Sequence, residues 1–343
     1  MSEPIVAVEG LTLGFQTEEG FLEILSNVSF TVNPAEVFAL VGESGCGKSV
    51  TCLSLGRLLP EPPARYCGGR VRVAGQEVLT LSGRELRRLR GGTVAYVFQE
   101  PSVSLNPVLR VGTQISEAVR LHHANGVKAR ARSLELLEWV GIPDPDRIAR
   151  AYPCTLSGGM QQRVMVAMAL ASSPRVLVAD EPTTALDVTV QAQILDLLLR
   201  LRRESGLSIV LVTHNFGIVA GVADSAAVMY AGQVVERAPA EQLLRAPAHP
   251  YTRALLRAVP RPGQQSARLG TIPGRVPIPG RYGAGCRFAD RCDVARPDCA
   301  RVPPPDIRVS AAHSVRCPYS EAVLATAGAR PALEPMAVAN AMT

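Results

Sequence analysis

The feature that most constrains this chain is a glycine-rich loop that directly follows a short apolar strand. Residues 42–49 have the pattern G-x-x-x-x-G-K-S, and residues 37–41 before them are all apolar. Glycines let the backbone close around phosphates, and a helix that begins there adds its positive end. The lysine neutralises the β- and γ-phosphates, and the hydroxyl after it ligates Mg²⁺. The sequence therefore predicts a nucleoside triphosphate site, with Ser49 as a Mg²⁺ ligand, formed by Gly42, Ser44, Gly45, Cys46, Gly47, Lys48, Ser49 and Val50.

A second apolar strand ends in two adjacent carboxylates. Residues 176–179 are apolar, and Asp180 and Glu181 follow them. In folds with a phosphate loop, such a pair lies beside the phosphates, where one carboxylate holds Mg²⁺ and the other polarises the attacking water. We assign the first role to Asp180 and the second to Glu181. The alternative is a surface turn, because Asp-Glu-Pro is favourable turn chemistry.

Strand and helix patterns alternate along the chain. Apolar strand-like runs occur near residues 5–15, 28–32, 37–41, 71–73, 94–98, 176–179 and 209–212. Helical spacing dominates residues 111–170 and returns at residues 190–201, between two of the buried strands. This alternation predicts an α/β fold with a largely parallel sheet. At 343 residues, the chain is long enough for about two domains.

Composition excludes several classes of protein. Hydrophobic residues make up 47% and charged residues 19%, which is typical of a globular chain. No apolar run approaches the roughly 18 residues of a membrane helix, and the N-terminus lacks the basic and apolar regions of a signal peptide. We therefore expect a cytoplasmic protein. The net charge of +6 does not by itself indicate a nucleic-acid partner.

Residues 156–163, Leu-Ser-Gly-Gly-Met-Gln-Gln-Arg, resemble the LSGGQ-type signature of ABC ATPases. Other motifs of that family occur in the family's order along the chain. Gln99 resembles the Q-loop glutamine, residues 185–187 resemble the D-loop, and His214 resembles the switch histidine. Phe15 stands where the family has an aromatic that stacks on adenine. The resemblance implies that Glu181, His214 and Gln99 are catalytic and that Gln99 also senses Mg²⁺. It further implies that two cassettes close head to tail, so that Ser157, Gly158 and Gly159 meet the partner's ATP, and that Asp187 of the D-loop also binds nucleotide.

The same resemblance implies a domain organisation. Residues 1–100 and 161–240 would form a P-loop ABC-type ATPase core with a mixed, mainly parallel sheet. Residues 101–160 would form a helical subdomain with the signature at its end, and residues 241–330 a small Cys-rich C-terminal extension. The Ala- and Pro-rich tail, residues 331–343, is expected to lack order.

Three further segments, residues 99–107, 187–194 and 249–252, resemble the D-type ATPase of oligopeptide and dipeptide ABC importers. Nickel and glutathione importers share this pattern. The resemblance implies a second, F-type ATPase subunit, two membrane permeases, an extracytoplasmic binding protein, and a position at the cytoplasmic face of the inner membrane. Residues 102–107 would then belong to the groove that receives a permease coupling helix. Asn215, Cys154 and Met160 depart from the usual residues, but none of the three removes a predicted phosphate or Mg²⁺ ligand.

Four cysteines crowd into the C-terminal extension, with the spacing Cys286-x5-Cys292-x6-Cys299-x17-Cys317. In a reducing cytoplasm such a quartet indicates metal ligands first, although the gaps fit neither compact zinc sites nor bacterial ferredoxins. Spacing alone leaves iron–sulfur, zinc and free thiols open. The resemblance to peptide-importer D subunits implies a 4Fe–4S cluster. Because the phosphate loop lies in the preceding domain, we expect ATP binding not to depend on these cysteines.

A different class of function is a soluble ABC-type ATPase that acts on nucleic acid or ribosomes, where cysteine-ligated metal modules also occur. Two features oppose it, because the chain carries one cassette and lacks a basic stripe interleaved with aromatics. The C-terminal extension could also serve as an interaction or regulatory module, and that role is compatible with a transport ATPase.

Overall fold

The computed structural model describes residues 3–122, 128–184, 186–259, 271–280 and 282–326. Ala185 of the predicted D-loop and the predicted tail, residues 331–343, lie outside these ranges. The strands are β1 (Val6–Thr17), β2 (Gly20–Val32), β3 (Val37–Val41), β4 (Ala64–Val73), β5 (Gln76–Glu77), β6 (Val94–Val97), β7 (Val176–Asp180), β8 (Ser208–Thr213), β9 (Ser225–Tyr230), β10 (Gln233–Pro239), β11 (Ile307–Ser310) and β12 (His313–Val315).

The helices are distributed between these strands, with a group of five between β6 and β7. They are α1 (Lys48–Ser54), α2 (Gly83–Leu89), α3 (Pro101–Ser104), α4 (Val111–His122), α5 (Ala129–Trp139), α6 (Pro145–Arg150), α7 (Gly158–Leu170), α8 (Val188–Ser205), α9 (Phe216–Val222), α10 (Ala240–Arg245), α11 (Pro250–Ala258) and α12 (Ser320–Thr326). Short 3₁₀ turns occur at Val78–Thr80, Pro153–Thr155 and Ala289–Arg291.

Two sheets organise the described residues. The larger sheet has the order β11-β12-β10-β9-β3-β8-β7-β6. Strands β9, β3, β8, β7 and β6 pair in parallel, whereas β10, β12 and β11 add an antiparallel edge. The smaller sheet is antiparallel with the order β2-β1-β4-β5. The predicted α/β class with a mixed, mainly parallel sheet is confirmed.

The central strands are buried on both faces, which explains why they are continuous apolar runs. Every residue of β3 and β8 is buried, as are the first four of β7. Because parallel strands all point the same way, β3, β6, β7 and β8 end at the same edge of the sheet. The loops after these four strands carry the predicted phosphate loop, Gln99, Glu181 and His214.

Helices α3 to α6 lie between residues 101 and 150, within the range that the sequence assigns to a helical subdomain. They pack with α7 around one apolar core that includes Val111, Ile115, Leu136, Leu137 and Val164. The continuous helical pattern of the sequence is therefore divided here into several short helices.

The C-terminal residues attach to the antiparallel edge of the large sheet. Phe288 is fully buried, and its ring centroid lies 5.2 Å from those of Tyr230 and Tyr251. The buried carboxylate of Glu236 accepts hydrogen bonds from the backbone of Ala248 and His249 and lies 2.8 Å from Nε2 of His313. This region thus shares a core with the cassette.

Among the described residues, no helix is both long enough and apolar enough to cross a membrane.

Candidate active site

The phosphate loop connects β3 to α1 and needs glycine at two close approaches. Gly47 has φ +103°, and a Cβ placed there would lie 2.7 Å from the Leu25 side chain. A Cβ at Gly42 would lie 2.3 Å from the carbonyl oxygen of Met229 on β9. Larger residues would therefore force the loop away from the sheet, so both glycines are required by the packing as well as by the ligand.

Lys48 is drawn into this loop. Its ammonium donates to the carbonyl oxygens of Gly42 at 2.8 Å and Glu43 at 2.9 Å, and only 6% of the residue is exposed. The cation is thus held against the loop backbone in the wall of a cavity. Cys46 beneath it is buried, and burial raises the pKa of its thiol. The thiol therefore packs in this loop as a neutral group.

Ser49 and Asp180 face each other across the start of α1 and the end of β7. Burial raises the pKa of Asp180, while a hydrogen bond from Ser49 and the charge of Lys48 act in the opposite direction. A hydroxyl and a carboxylate side by side are hard oxygen ligands of the kind that Mg²⁺ takes together with phosphate oxygens and water. The donor set therefore fits the predicted magnesium site.

Glu181 lies at the centre of the other predicted catalytic residues. Gln99 donates from Nε2 to one of its carboxylate oxygens at 3.4 Å, and Nδ1 of His214 lies 3.4 Å from the other. Thr184, which the sequence did not single out, donates to the same carboxylate at 2.8 Å. Glu181 has φ +46°, a left-handed conformation uncommon outside glycine. The turn after β7 thus directs this carboxylate towards the ends of β6 and β8.

One cavity of about 990 Å³ joins these groups. Phe15 and Ile24 line it, as expected for a surface that receives a base, and Gln99, Glu181 and His214 line it together with the phosphate loop. The loop residues that line it are Gly42, Glu43, Ser44, Gly45, Gly47, Lys48, Ser49 and Val50. Two described residues that we predict to bind ATP or Mg²⁺ in this chain do not line the cavity. Cys46 is buried beside it, and Asp180 lines a neighbouring cavity.

The sequence did not predict that the C-terminal extension would contribute to this cavity. Leu255 of α11 lines it, as do Gly274, Arg275, Val276 and Pro279. Arg275 is exposed, so a cation lies at the border of a site for an anionic ligand. The only sequence signal for this contribution is the order Pro-Gly-Arg-Val-Pro, which lies in a segment otherwise typical of a linker.

The signature residues lie elsewhere. Ser157 caps α7 by accepting from the backbone of Met160 at 3.4 Å, and Asp187 caps α8 by accepting from Val190 at 2.9 Å. The two helix starts touch, because a Cβ on Gly159 would lie 2.5 Å from Val190. Ser157, Gly158, Gly159 and Asp187 are not among the described residues that line the 990 Å³ cavity. This separation is what a site completed by a second cassette requires.

The four cysteines of the C-terminal extension line a separate, smaller cavity of about 140 Å³. Burial raises the pKa of Cys286 and Cys317 and raises that of Cys292 to about 11. Phe288, Pro303 and Pro318 are among the apolar residues around them. Within the described ranges, no three His, Cys, Asp or Glu side chains are grouped so that they could hold a metal ion.

Comparison with protein families matches two parts of the chain. Residues 25–184 match the family described as ABC transporter. Residues 235–299 match the family described as oligopeptide/dipeptide transporter, C-terminal region. The first match contains the phosphate loop, the signature and both carboxylates, and the second contains three of the four cysteines.

Similar proteins cover nearly the whole chain. A protein of Brucella abortus (strain 2308) named "Putative peptide import ATP-binding protein" is 48% identical over 316 residues, which is 92% of this chain and 95% of that protein. A second protein of that strain with the same descriptive name is 45% identical, over 92% of this chain and 97% of its own length.

Solved structures share the cassette. The ATP-binding cassette MJ0796, in a dimeric post-hydrolysis state with ADP and Pi, superposes with a TM-score of 0.62 at 28% identity, over 68% of this chain and 98% of its own. CbiO1 of Clostridium perfringens, part of an ABC transporter complex, has a TM-score of 0.61 at 26% identity, over 71% of this chain and 91% of its own. The chain therefore belongs to the ATP-hydrolysing subunits of ABC transporters, in the group that carries the oligopeptide/dipeptide transporter C-terminal region.

Proposed function

We propose that this ATPase energises the uptake of dipeptides or oligopeptides through partner permeases. The observation that carries the proposal is the combination, in one chain, of a cavity that joins the phosphate loop to Gln99, Glu181 and His214 with the C-terminal region matched at residues 235–299. Relatives at 45–48% identity over most of the chain are named for peptide import. Nickel and glutathione importers of the same group are the alternative substrate classes.

The site supports a direct attack of water on the γ-phosphate. Lys48 and the loop N–H groups neutralise the phosphates, and Mg²⁺ held by Ser49 and Asp180 would spread the charge that develops on the oxygens. Glu181 accepts a proton from the attacking water, while Gln99 and His214, each 3.4 Å from its carboxylate, orient this group and the water. The products are ADP and inorganic phosphate.

Hydrolysis requires a second cassette, which we assign to an F-type ATPase subunit. Ser157, Gly158, Gly159 and Asp187 are separated from the cavity of their own chain but stand at the starts of two touching helices. Such helix starts offer N–H groups to the γ-phosphate of the opposite chain. Loss of that phosphate removes the bridging charge, so the pair opens and the permeases change conformation.

A groove beside Gln99 is suited to the permeases. It has a volume of about 730 Å³ and is lined mainly by apolar residues of β6, α3, α4 and α7. Phe98 is 42% exposed and Val103 is 78% exposed at its border, and Val103 belongs to residues 102–107, which we assign to the groove that receives a permease coupling helix. Two permeases and an extracytoplasmic binding protein would complete the importer, with this subunit at the cytoplasmic face of the inner membrane.

The experiment is uptake in a strain that lacks this subunit and is complemented with the wild type or Glu181→Gln. Labelled di- and oligopeptides, glutathione and Ni²⁺ are supplied in parallel. Peptide uptake that returns only with the wild-type chain supports the proposal. Restoration of Ni²⁺ or glutathione uptake alone would reassign the substrate. If none is restored while the purified chain still binds Mg·ATP, the importer role is wrong.

We further propose that Cys286, Cys292, Cys299 and Cys317 hold a 4Fe–4S cluster. All four line one cavity, and burial raises the thiol pKa of three of them, so stable thiolates there need a cationic partner. A single Zn²⁺ needs ligands about 2.3 Å from one point, and the described side chains are not grouped for an ion. Such a cluster would contribute folding energy to a region with little regular structure.

Iron and acid-labile sulfide, measured on anaerobically purified protein, test this assignment. About four of each per chain are expected. One zinc per chain would refute the cluster and assign a zinc site to these cysteines. Four titratable thiols without metal would refute any metal site.

A further inference from the structure

The C-terminal extension contacts the phosphate loop directly, through an ion pair between Arg291 and Glu43. The two guanidinium NH₂ groups of Arg291 lie 2.7 Å and 3.0 Å from the two carboxylate oxygens of Glu43. The Arg291 side chain is only 5% exposed. A bidentate pair of this kind is among the strongest and most directional side-chain contacts. It joins residues that are 248 positions apart in the chain.

Arg291 is fixed from its own side as well. Its Nε donates to the carbonyl oxygen of Pro273 at 2.8 Å, and one NH₂ group lies 3.3 Å from the hydroxyl of Tyr230. The residue ends the 3₁₀ turn Ala289–Arg291, which lies between Cys286 and Cys292. The guanidinium therefore cannot shift unless the cysteine-bearing segment shifts with it.

Glu43 is fixed at its backbone on the other side. Its N–H donates to the Tyr251 hydroxyl at 3.0 Å, and its carbonyl oxygen accepts from the ammonium of Lys48 at 2.9 Å. The carboxylate held by Arg291 and the carbonyl that orients Lys48 thus belong to the same residue. A rotation of Glu43 would move the group that positions the phosphate-binding cation.

We propose that Arg291 is a positioning residue for nucleotide binding, which holds the phosphate loop in its receptive shape through Glu43. Arg291 is not among the described residues that line the 990 Å³ cavity, and its guanidinium bonds Glu43, Pro273 and Tyr230 instead. ATP affinity consequently depends on the folded cysteine segment that carries Arg291. This inference concerns the ATP site alone and holds whatever substrate the importer carries.

The test compares Arg291→Met with Arg287→Met in the full chain. Arg287 is a matched control from the same segment, because its side chain is 10% exposed and pairs with Glu23 on β2 at 3.0 Å. It makes no ion pair with the phosphate loop in the described structure. The dissociation constants of Mg·ATP and Mg·ADP are measured by calorimetry, together with the unfolding midpoint and the metal content.

Arg291→Met is expected to weaken binding of both nucleotides about tenfold. Changes within a network of hydrogen bonds and ion pairs that connects two sites alter the coupling between those sites by about this factor. Arg287→Met should lower the unfolding midpoint comparably and leave both dissociation constants within about twofold. Arg291→Lys keeps the charge but loses the bidentate geometry, so it should recover part of the affinity. Glu43→Gln should weaken binding, and adding Arg291→Met to it should weaken binding little further, because both changes break one contact.

Two results would overturn the proposal. The first is an unchanged affinity in folded Arg291→Met and Glu43→Gln proteins. The second is an equal loss in Arg287→Met, which would mean that any loosening of the segment affects the nucleotide. If Arg291→Met does not fold, Arg291→Lys and Glu43→Gln decide the matter, because both keep the size of the side chain.

Discussion

The nucleotide site and the cysteine cavity are built on opposite principles. The first stands at the ends of four parallel strands, where buried apolar runs fix the backbone and short loops carry the chemistry. The second lies in a segment, residues 286–317, whose regular structure is one 3₁₀ turn and two short strands among the described residues, and ion pairs of Arg287 and Arg291 attach it to the cassette. A rigid sheet tolerates changes of single ligands, whereas a segment with little core depends on each of them.

The largest expected effect concerns a residue whose loss leaves the sheet untouched. Glu181→Gln should lower kcat by about 10²–10⁴, because the amide cannot accept the proton of water. The affinity for Mg·ATP should stay near that of the wild type, since the phosphate contacts remain. Steady-state hydrolysis in the assembled transporter and nucleotide binding measure the two effects, with the exposed Glu138→Gln as a control. Near-normal turnover would exclude Glu181 as the base.

Lys48→Ala should instead act on binding. Removing the ammonium held at 2.8–2.9 Å from the loop carbonyls should weaken Mg·ATP binding about 10- to 100-fold, as expected for lost hydrogen bonds to a charged group. The chain's other lysine, Lys128, is exposed and provides the matched control. If Lys48→Ala binds ATP normally but fails to hydrolyse it, Lys48 acts in the chemical step and not in nucleotide binding.

In the cysteine cavity, a single ligand change should have wide local consequences. If the proposed cluster is bound, Cys317→Ser should remove its iron and its brown colour, because a buried hydroxyl is a poor ligand for iron, and should increase proteolysis after Gly280. The sequence predicts that ATP binding survives. The Arg291–Glu43 pair sharpens this expectation to a loss of affinity smaller than that of Arg291→Met, because the pair itself and the Phe288 core remain.

The contrast between the two regions also explains what the sequence could predict. The phosphate loop, Asp180 and Glu181 are local patterns that follow apolar strands, so residue types and spacing were sufficient. Strands β9 and β10 were missed because their connection, Ala231-Gly232, is not a typical turn dipeptide although both residues have positive φ. The contacts of Arg275 and Arg291 join distant segments and leave no periodic signal.

The smallest effect is expected for a cysteine on the nucleotide side. The sequence places Cys46 in the phosphate loop, but the residue is only 1% exposed and burial raises the pKa of its thiol. Both properties disfavour the reactive thiolate, so native alkylation should reach the exposed Cys67 and Cys154 well before Cys46. Cys46→Ala should leave the iron of the proposed cluster in place and lower the free energy of unfolding by about 1 kcal/mol, since it leaves only a small cavity. Loss of iron in Cys46→Ala would mean that the thiol environments of the two regions are not separate. Unchanged iron there, beside its loss in Cys317→Ser, assigns the metal to the C-terminal cavity.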